Sequence, residues 1–409
     1  MHASRVQLPH EHLADLWPLS LRGARLGAVV HPASVLPNLS HLADRLKAPG
    51  NPWTLAALFG PQHGILGHTQ DNMIEWEAGA DPRWGVPVHS LYGAVRKPTP
   101  AMLEGLDVLL VDLQDVGARY YTFIWTMRLC LEAAWEKGIA VVIPDRPNPL
   151  GGELVEGPTL VDGFQSFVGL HTVPVRHGLT MGEMAKLLVA ETYPGLQLHV
   201  LPMEGWTRGL LWEDTGLPWV LPSPNMPTPD TARVYPGMCL LEACTASEGR
   251  GTTRPFEIFG SPWIDAARLK IDLDSLDLPG VRFRELGFQP TFHKGVGRLC
   301  GGVQIHVTDS VAFRPVLTGF ATLWALRRQG YLTDPVAIDP LHPENLPDVF
   351  AWKAPPYEYE TEKLPIDILA GHSKWREMLE AGASPRDLAK AWEPHEAAWL
   401  QRRKPFLLY

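Results

Sequence analysis

Apolar runs punctuate the first half of the chain at regular intervals, and each ends in a cluster of polar side chains. Leu26 to Val30 ends at His31, and Thr54 to Phe59 ends at Gly60-Pro61-Gln62-His63-Gly64. The run inside Leu106 to Tyr121 ends in Asp112, Gln114, Asp115, Arg119, Tyr120 and Tyr121, and Ile139 to Pro144 ends at Asp145-Arg146-Pro147-Asn148-Pro149. Short Val- and Leu-rich runs without alternation read as strands buried on both faces, as in a parallel sheet covered by helices. Helical spacing lies between them, near Leu39 to Leu46 and over Thr122 to Lys137, where Gly138 supplies a stop. Thr180 with Glu183 three residues later is a capping box for a helix to about Glu191, and a strand at Leu196 to Pro202 follows. Alternating strand and helix predicts right-handed crossovers and an open, mostly parallel α/β sheet. Such sheets take ligands beyond the carboxyl ends of their strands, so the four polar clusters are expected at one rim.

Beyond Phe256 the pattern shifts to shorter strands, including the alternating Gly302 to Val307, and a helix from about Val316 to Arg328. This predicts a smaller α+β domain closing over the first. A chain of 409 residues exceeds one ordinary core, so two domains are expected, 1–245 and 246–409. The segment Trp219 to Arg254 is rich in Pro, Gly, Ser and Thr and reads as loops lining the cleft between them. A second long loop, Gly64 to Pro87, carries His68, Asp71, Glu75, Trp76 and Glu77.

Charge removes several functions. With 36 basic and 45 acidic residues the net charge is -9, and no block of Lys and Arg would track a phosphate backbone, so nucleic acid is not an expected partner. Cys130, Cys239, Cys244 and Cys300 match no zinc pattern and read as buried thiols. The first residues lack a basic segment followed by an apolar one, and no stretch has the length of a membrane span; a cytoplasmic protein is the expectation. There is no G-x-x-x-x-G-K-[ST], no G-x-G-x-x-G after the first strand, no G-x-S-x-G and no H-E-x-x-H. No nicotinamide or other nucleotide cofactor is therefore expected.

Carboxylates remain for acid and base work: Asp71, Glu75, Glu77, Asp112, Asp115, Asp145 and Glu248. Glycosidic hydrolysis needs a carboxylic acid of raised pKa, and Glu75 beside Trp76 is a candidate through desolvation. Asp112, Asp115 and Asp145 can equally cap helices or pair with Arg119 and Arg146. Arg119, Arg146, Arg176 and Arg250 are forks suited to a substrate carboxylate, and one or two of the four are expected to meet it while the rest hold loops. His63, His68 and Asp71 have spacing for a metal on one loop, which keeps a metal-dependent hydrolase as an alternative; ligand-binding histidines are the favoured role.

In order along the chain stand GPQHG, PVHSLYG, DLQDVGARYYTFIWT, DRPNPLGG, SFVG, PVRHGLTMGEMA, PSPNMPT, YPG and SEGRGTTRPFE. From about Arg25 to the C-terminus the sequence resembles the exo-β-N-acetylmuramidase family of peptidoglycan hydrolases, the NamZ or YbbC type. The resemblance implies a Rossmann-like N-terminal domain, a smaller C-terminal domain and an active site between them. It also implies release of terminal N-acetylmuramic acid from the non-reducing end of peptidoglycan fragments, a small-molecule muropeptide substrate, and no metal or nucleotide. With the polar rim, the motifs mark Asp71, Asp112, Asp115, Arg119, Tyr120, Tyr121, Asp145, Arg146, Asn148, Arg176, His177, Ser223, Asn225 and Arg250 for substrate binding. Gln62, His63, Glu75 and Glu248 are marked for catalysis.

One position departs from the family, which commonly has G-P-E-H-G where this chain has Gln62, and that glutamate is the proposed catalytic residue. A glutamine amide binds and orients but cannot donate a proton as a carboxylic acid does. Three consequences stay open: the acid lies at Glu75, Glu77 or Glu248, the substrate has changed, or the chain binds sugar without cleaving it. A working glycosidase is the expectation.

Overall fold

The computed structural model describes residues 5–67, 69, 74–77, 79–80, 83–339 and 345–409. The apolar runs become strands. Those of the N-terminal half are β1 (Ala24–Val29), β2 (Trp53–Gly60), β3 (Gly79–Ala80), β4 (Pro87–Ser90), β5 (Val108–Val111), β6 (Ala140–Pro144), β7 (Glu156–Thr159), β8 (Pro174–Arg176) and β9 (Leu198–Leu201). A seven-stranded sheet has the order β3-β4-β2-β1-β5-β6-β9, parallel except for the short edge strand β3. Every residue of β5 is buried, which is why its sequence shows no alternation. The order reverses between β1 and β5, the topological switch point of the sheet.

Local signals explain the covering helices. The helix Phe123–Lys137 stops at Gly138, which takes a left-handed conformation at φ 75° and returns its N–H to the Ala134 and Trp135 carbonyls. Thr180 and Glu183 form the reciprocal capping box ahead of the helix Met181–Thr192. In the C-terminal half β10 (Ile258–Ser261), β11 (Val281–Phe288) and β12 (Cys300–Val307) form an antiparallel sheet of order β10-β12-β11. The helices Ala266–Asp274, Pro315–Arg327 and Pro385–Arg403 complete an α+β unit. One buried cluster runs from Val29 and Phe59 through Trp125 to Phe320 and Trp392, so both halves share a core. The chain ends against the first sheet, where the Tyr409 hydroxyl donates to Asp145 Oδ2 at 2.9 Å.

The segment Trp219 to Arg254 corrects the loop expectation, because it contains the helix Pro229–Met238 and a 3-10 turn at Cys239–Ala243. Thr228 caps the helix by accepting from Thr231 N, and Pro229 occupies its first turn. Pro236 and Gly237 hide the helix from a reading of composition. Gly237 is required by packing: a Cβ there would fall 1.8 Å from the Pro315 carbonyl oxygen, and one on Gly319 would strike Gly237. Two helix backbones are thus in direct contact. All four cysteines are free and buried, and no helix among the described residues is long and apolar enough to cross a membrane.

Candidate active site

A cleft of about 490 Å³ opens beyond the carboxyl ends of β2 and β5. Gln62 and His63 follow β2, while Tyr120, Tyr121, Thr122 and Phe123 lead into the helix after β5. Ser223, Asn225, Met226 and Tyr235 come from the Pro-rich segment, and Glu242, Arg250, Phe256, Tyr357 and Glu358 close the far side. His63 sits at φ 68°, a conformation costly for a residue with a side chain and concentrated at functional sites. Its Nδ1 lies 2.7 Å from the Thr69 carbonyl and so carries the proton in that contact. The Thr122 hydroxyl donates to Gln62 Oε1 at 2.7 Å, which fixes the orientation of the side-chain amide at the cleft. Tyr121 and Tyr235 meet edge to face at 5.7 Å, and Tyr235 meets Phe256 at 4.9 Å, giving an aromatic wall of the kind that carries sugar rings.

Two carboxyl groups of this wall are displaced in opposite directions. Glu242 accepts from Arg250 Nη2 at 2.8 Å and from the Tyr357 hydroxyl at 2.7 Å. Burial alone would raise its pKa, but the Arg250 guanidinium outweighs it and holds Glu242 below the usual carboxylate range. Glu358 is 3% exposed and accepts from the Tyr92 hydroxyl at 3.1 Å. Burial first, and then the charge of Glu242, push it up to about 7. A neutral acid and an ionised carboxylate on one wall is the division of labour that acid-assisted bond cleavage uses. Neither was singled out from sequence. Glu242 had one visible signal, a lone carboxylate in the apolar run Tyr235 to Cys244, where burial demands a partner. Glu358 had none in its Pro- and Tyr-rich surroundings.

The carboxylates marked beforehand lie elsewhere. Glu248 is fully buried behind Arg250, 2.7 Å from Lys294 Nζ and 3.2 Å from both His293 Nδ1 and Arg250 Nε. Burial opposes ionisation, but Lys294 and His293 hold Glu248 well below the usual range, opposite to what a proton donor needs. Glu75 does not have the desolvation expected of it: its side chain is 52% exposed and 3.0 Å from Arg96 Nη2. The neighbouring Trp76 instead turns its indole onto Gly60 and donates to the Pro61 carbonyl. Glu77 is exposed, and His68 and Asp71 lie outside the described residues. Among the described residues no group of three His, Cys, Asp or Glu is arranged to hold a metal ion.

Most of the remaining rim residues form a frame behind the cleft. At the switch point, Asp112 accepts from Arg146 Nε and Nη2 at 2.5 and 2.9 Å and lies 2.9 Å from His10 Nε2. Burial opposes its charge, yet Arg146 and then His10 keep it ionised far below the ordinary range. His31 accepts from Gln114 N through Nε2 and reaches the Pro222 carbonyl through Nδ1, and burial takes its pKa down to about 3. Asp145 caps the helix Met181–Thr192 through Gly182 N and accepts from Thr180; burial raises it to about 6. Asp115 accepts from Gly117 N and faces His177 Nε2 at 3.3 Å, and Asn148 donates to the Leu179 carbonyl. Arg119 donates to the carbonyls of Pro158, Val173 and Leu369, and Arg176 to that of Leu150. Of the four arginines, Arg250 alone lines the cleft.

Comparison with known proteins matches residues 26–230 to the N-terminal part and residues 233–409 to the C-terminal part of exo-β-N-acetylmuramidase NamZ. The chain belongs to the NamZ family. It is 41% identical over 406 residues, 99% of this chain and 92% of the relative, to peptidoglycan β-N-acetylmuramidase NamZ of Bacillus subtilis (strain 168). Two solved DUF1343 family proteins from Bacteroides fragilis NCTC 9343 share the fold, with TM-scores of 0.84 and 0.72 at 32% and 26% identity. In each pair 99% of both chains is covered. Both NamZ segments build the cleft, the first bringing Gln62, Tyr121 and Asn225 and the second Tyr235, Glu242, Arg250 and Glu358.

Proposed function

We propose that this chain is an exo-acting glycoside hydrolase that releases terminal N-acetylmuramic acid from peptidoglycan fragments, with Glu358 as the general acid. The observation that carries the assignment is a cleft carboxyl raised to about 7 beside one held ionised. Membership of the NamZ family and the name of the Bacillus subtilis relative supply the sugar. Glu358 gives its proton to the departing glycosidic oxygen as the C1–O bond breaks, ionised Glu242 faces the positive charge that grows on the sugar, and a water that adds to C1 returns a proton to Glu358. Gln62, oriented by Thr122, hydrogen-bonds substrate through its amide, and Tyr121, Tyr235 and Phe256 pack on the ring. The substrate is a small muropeptide fragment, consistent with a cytoplasmic enzyme that works on imported pieces of wall.

Gln62 favours a second reading, a muramyl-sugar binder that does not cleave. Release of chromophore from an N-acetylmuramic acid β-glycoside, beside the N-acetylglucosamine compound and with chelator present, separates the two. Turnover of the muramyl compound alone is expected. Saturable binding without turnover would leave the binding protein, and turnover abolished by chelator would revive the metal-dependent alternative.

A further inference from the structure

A muramyl sugar differs from its glucosamine counterpart by a lactyl ether that ends in a carboxylate, so a site that distinguishes them needs a cation with room to receive that group. Arg250 faces Glu242 and Glu248, and Lys294 is fully buried against Glu248 and the carbonyls of Leu241 and Cys244. A third cation stands beside Glu358. The Arg96 guanidinium is sandwiched between the rings of Tyr92 and Tyr359, 4.1 and 4.3 Å from their centroids. Tyr92 is the residue that donates to Glu358, and Phe167, 5.9 Å from Arg96, adjoins Val168 of the cleft wall. Two aromatic faces fix the plane of a guanidinium and reduce the entropy lost when it engages a ligand.

The present partner of this cation is itself a carboxylate. Arg96 Nη2 and the Tyr359 hydroxyl converge on the same oxygen, Glu75 Oε1, at 3.0 and 3.2 Å. Glu75 is half exposed, and an exposed ion pair is weak, so exchange for another carboxylate costs little. Arg96 Nη1 is anchored on the Gly93 carbonyl and Nε is buried, so Nη2 is the nitrogen that Glu75 engages.

We propose that Arg96, with the Tyr359 hydroxyl, is the subsite that reads the lactyl carboxylate, and that Glu75 occupies it until substrate arrives. The proposal rests on the muramyl-sugar reading of the cleft but not on catalysis. It makes Arg96 a specificity-determining residue and Glu75 its internal competitor.

Calorimetry with N-acetylmuramic acid and its lactyl methyl ester tests this without turnover. The unaltered protein is expected to bind the acid about tenfold or more tightly than the ester. Arg96→Ala should erase that preference, and Arg96→Lys, which keeps charge but loses the fork, should retain part of it. Glu75→Gln should tighten the acid by about threefold or more by removing a competing exposed pair, and leave the ester unchanged. The proposal is overturned if the unaltered protein does not prefer the acid, or if Arg96→Ala keeps the preference. A preference lost instead in Lys353→Ala would also overturn it, since that ammonium lies 5.2 Å from the Tyr357 ring. Should the muramyl glycoside not be hydrolysed while the acid preference still depends on Arg96, the glycosidase reading fails and this subsite stands.

Discussion

Two buried charge clusters sit at the carboxyl edge of the same sheet and differ in how their charges balance. At the switch point Asp112 is met by Arg146 and His10, and His31 is held from both sides by Gln114 and Pro222. Every charge there has its partner, and the cluster ties the N-terminal segment to the sheet. In the cleft Glu242 pairs with Arg250, and Glu358, buried beside that charge and bonded to the Tyr92 hydroxyl, is pushed up to about 7 even though Arg96 and Lys353 act against the shift. The open-sheet rule points toward both places. What separates scaffold from candidate chemistry is a raised carboxyl that also lines the cleft, as Glu358 does and the helix-capping Asp145 does not.

Glu358→Gln is the sharpest way to break that contrast. The kcat of the muramyl glycoside should fall about 10²- to 10⁴-fold, while the melting temperature at pH 8 rises because a buried carboxyl no longer has to ionise. Unchanged initial rates would erase the distinction. Asp112→Asn should do the reverse, with a stability loss of about 3–5 kcal/mol in denaturant titration and unchanged turnover per folded molecule.

The two clusters should also set opposite limits in pH. Glu358 acts protonated, so kcat/KM should fall as pH rises through about 7. His31 is neutral in the fold, with its pKa lowered from 6.5 to about 3. Its contribution to stability is present above pH 6.5 and is lost as pH falls from there toward 3. Thermal melts between pH 4 and 7 check the acid side, and rate profiles check the alkaline one. The smallest effect is expected from Gln62→Glu, which keeps the acceptor for Thr122 and should change kcat by less than about 10²-fold, the low edge of what a single proton donor contributes. A much larger gain would return the acid to that position.

The sheet was legible because strands buried on both faces need unbroken apolar runs, and the helix starts and stops because Thr180 and Gly138 carry their own geometry. The polar rim was legible too, including the alternative in which Asp112 pairs with Arg146, the arrangement that forms. Glu358 was not, because its burial and its partner Tyr92 come from chain far away in sequence. Glu75 misled for the same reason: adjacency to Trp76 says nothing about which way the indole turns. The helix Pro229–Met238 was hidden by Pro236 and Gly237, and Gly237 makes sense only beside Pro315 and Gly319.

That backbone-to-backbone seam also fixes one side of the cleft. Tyr235 reaches the cleft from a helix pressed against its neighbour with no side chain between to yield, so this wall cannot slide without parting the two helices. Tyr357 and Glu358, which line the same cleft, are themselves buried, and the Tyr357 hydroxyl is tied to Glu242 just beyond that helix.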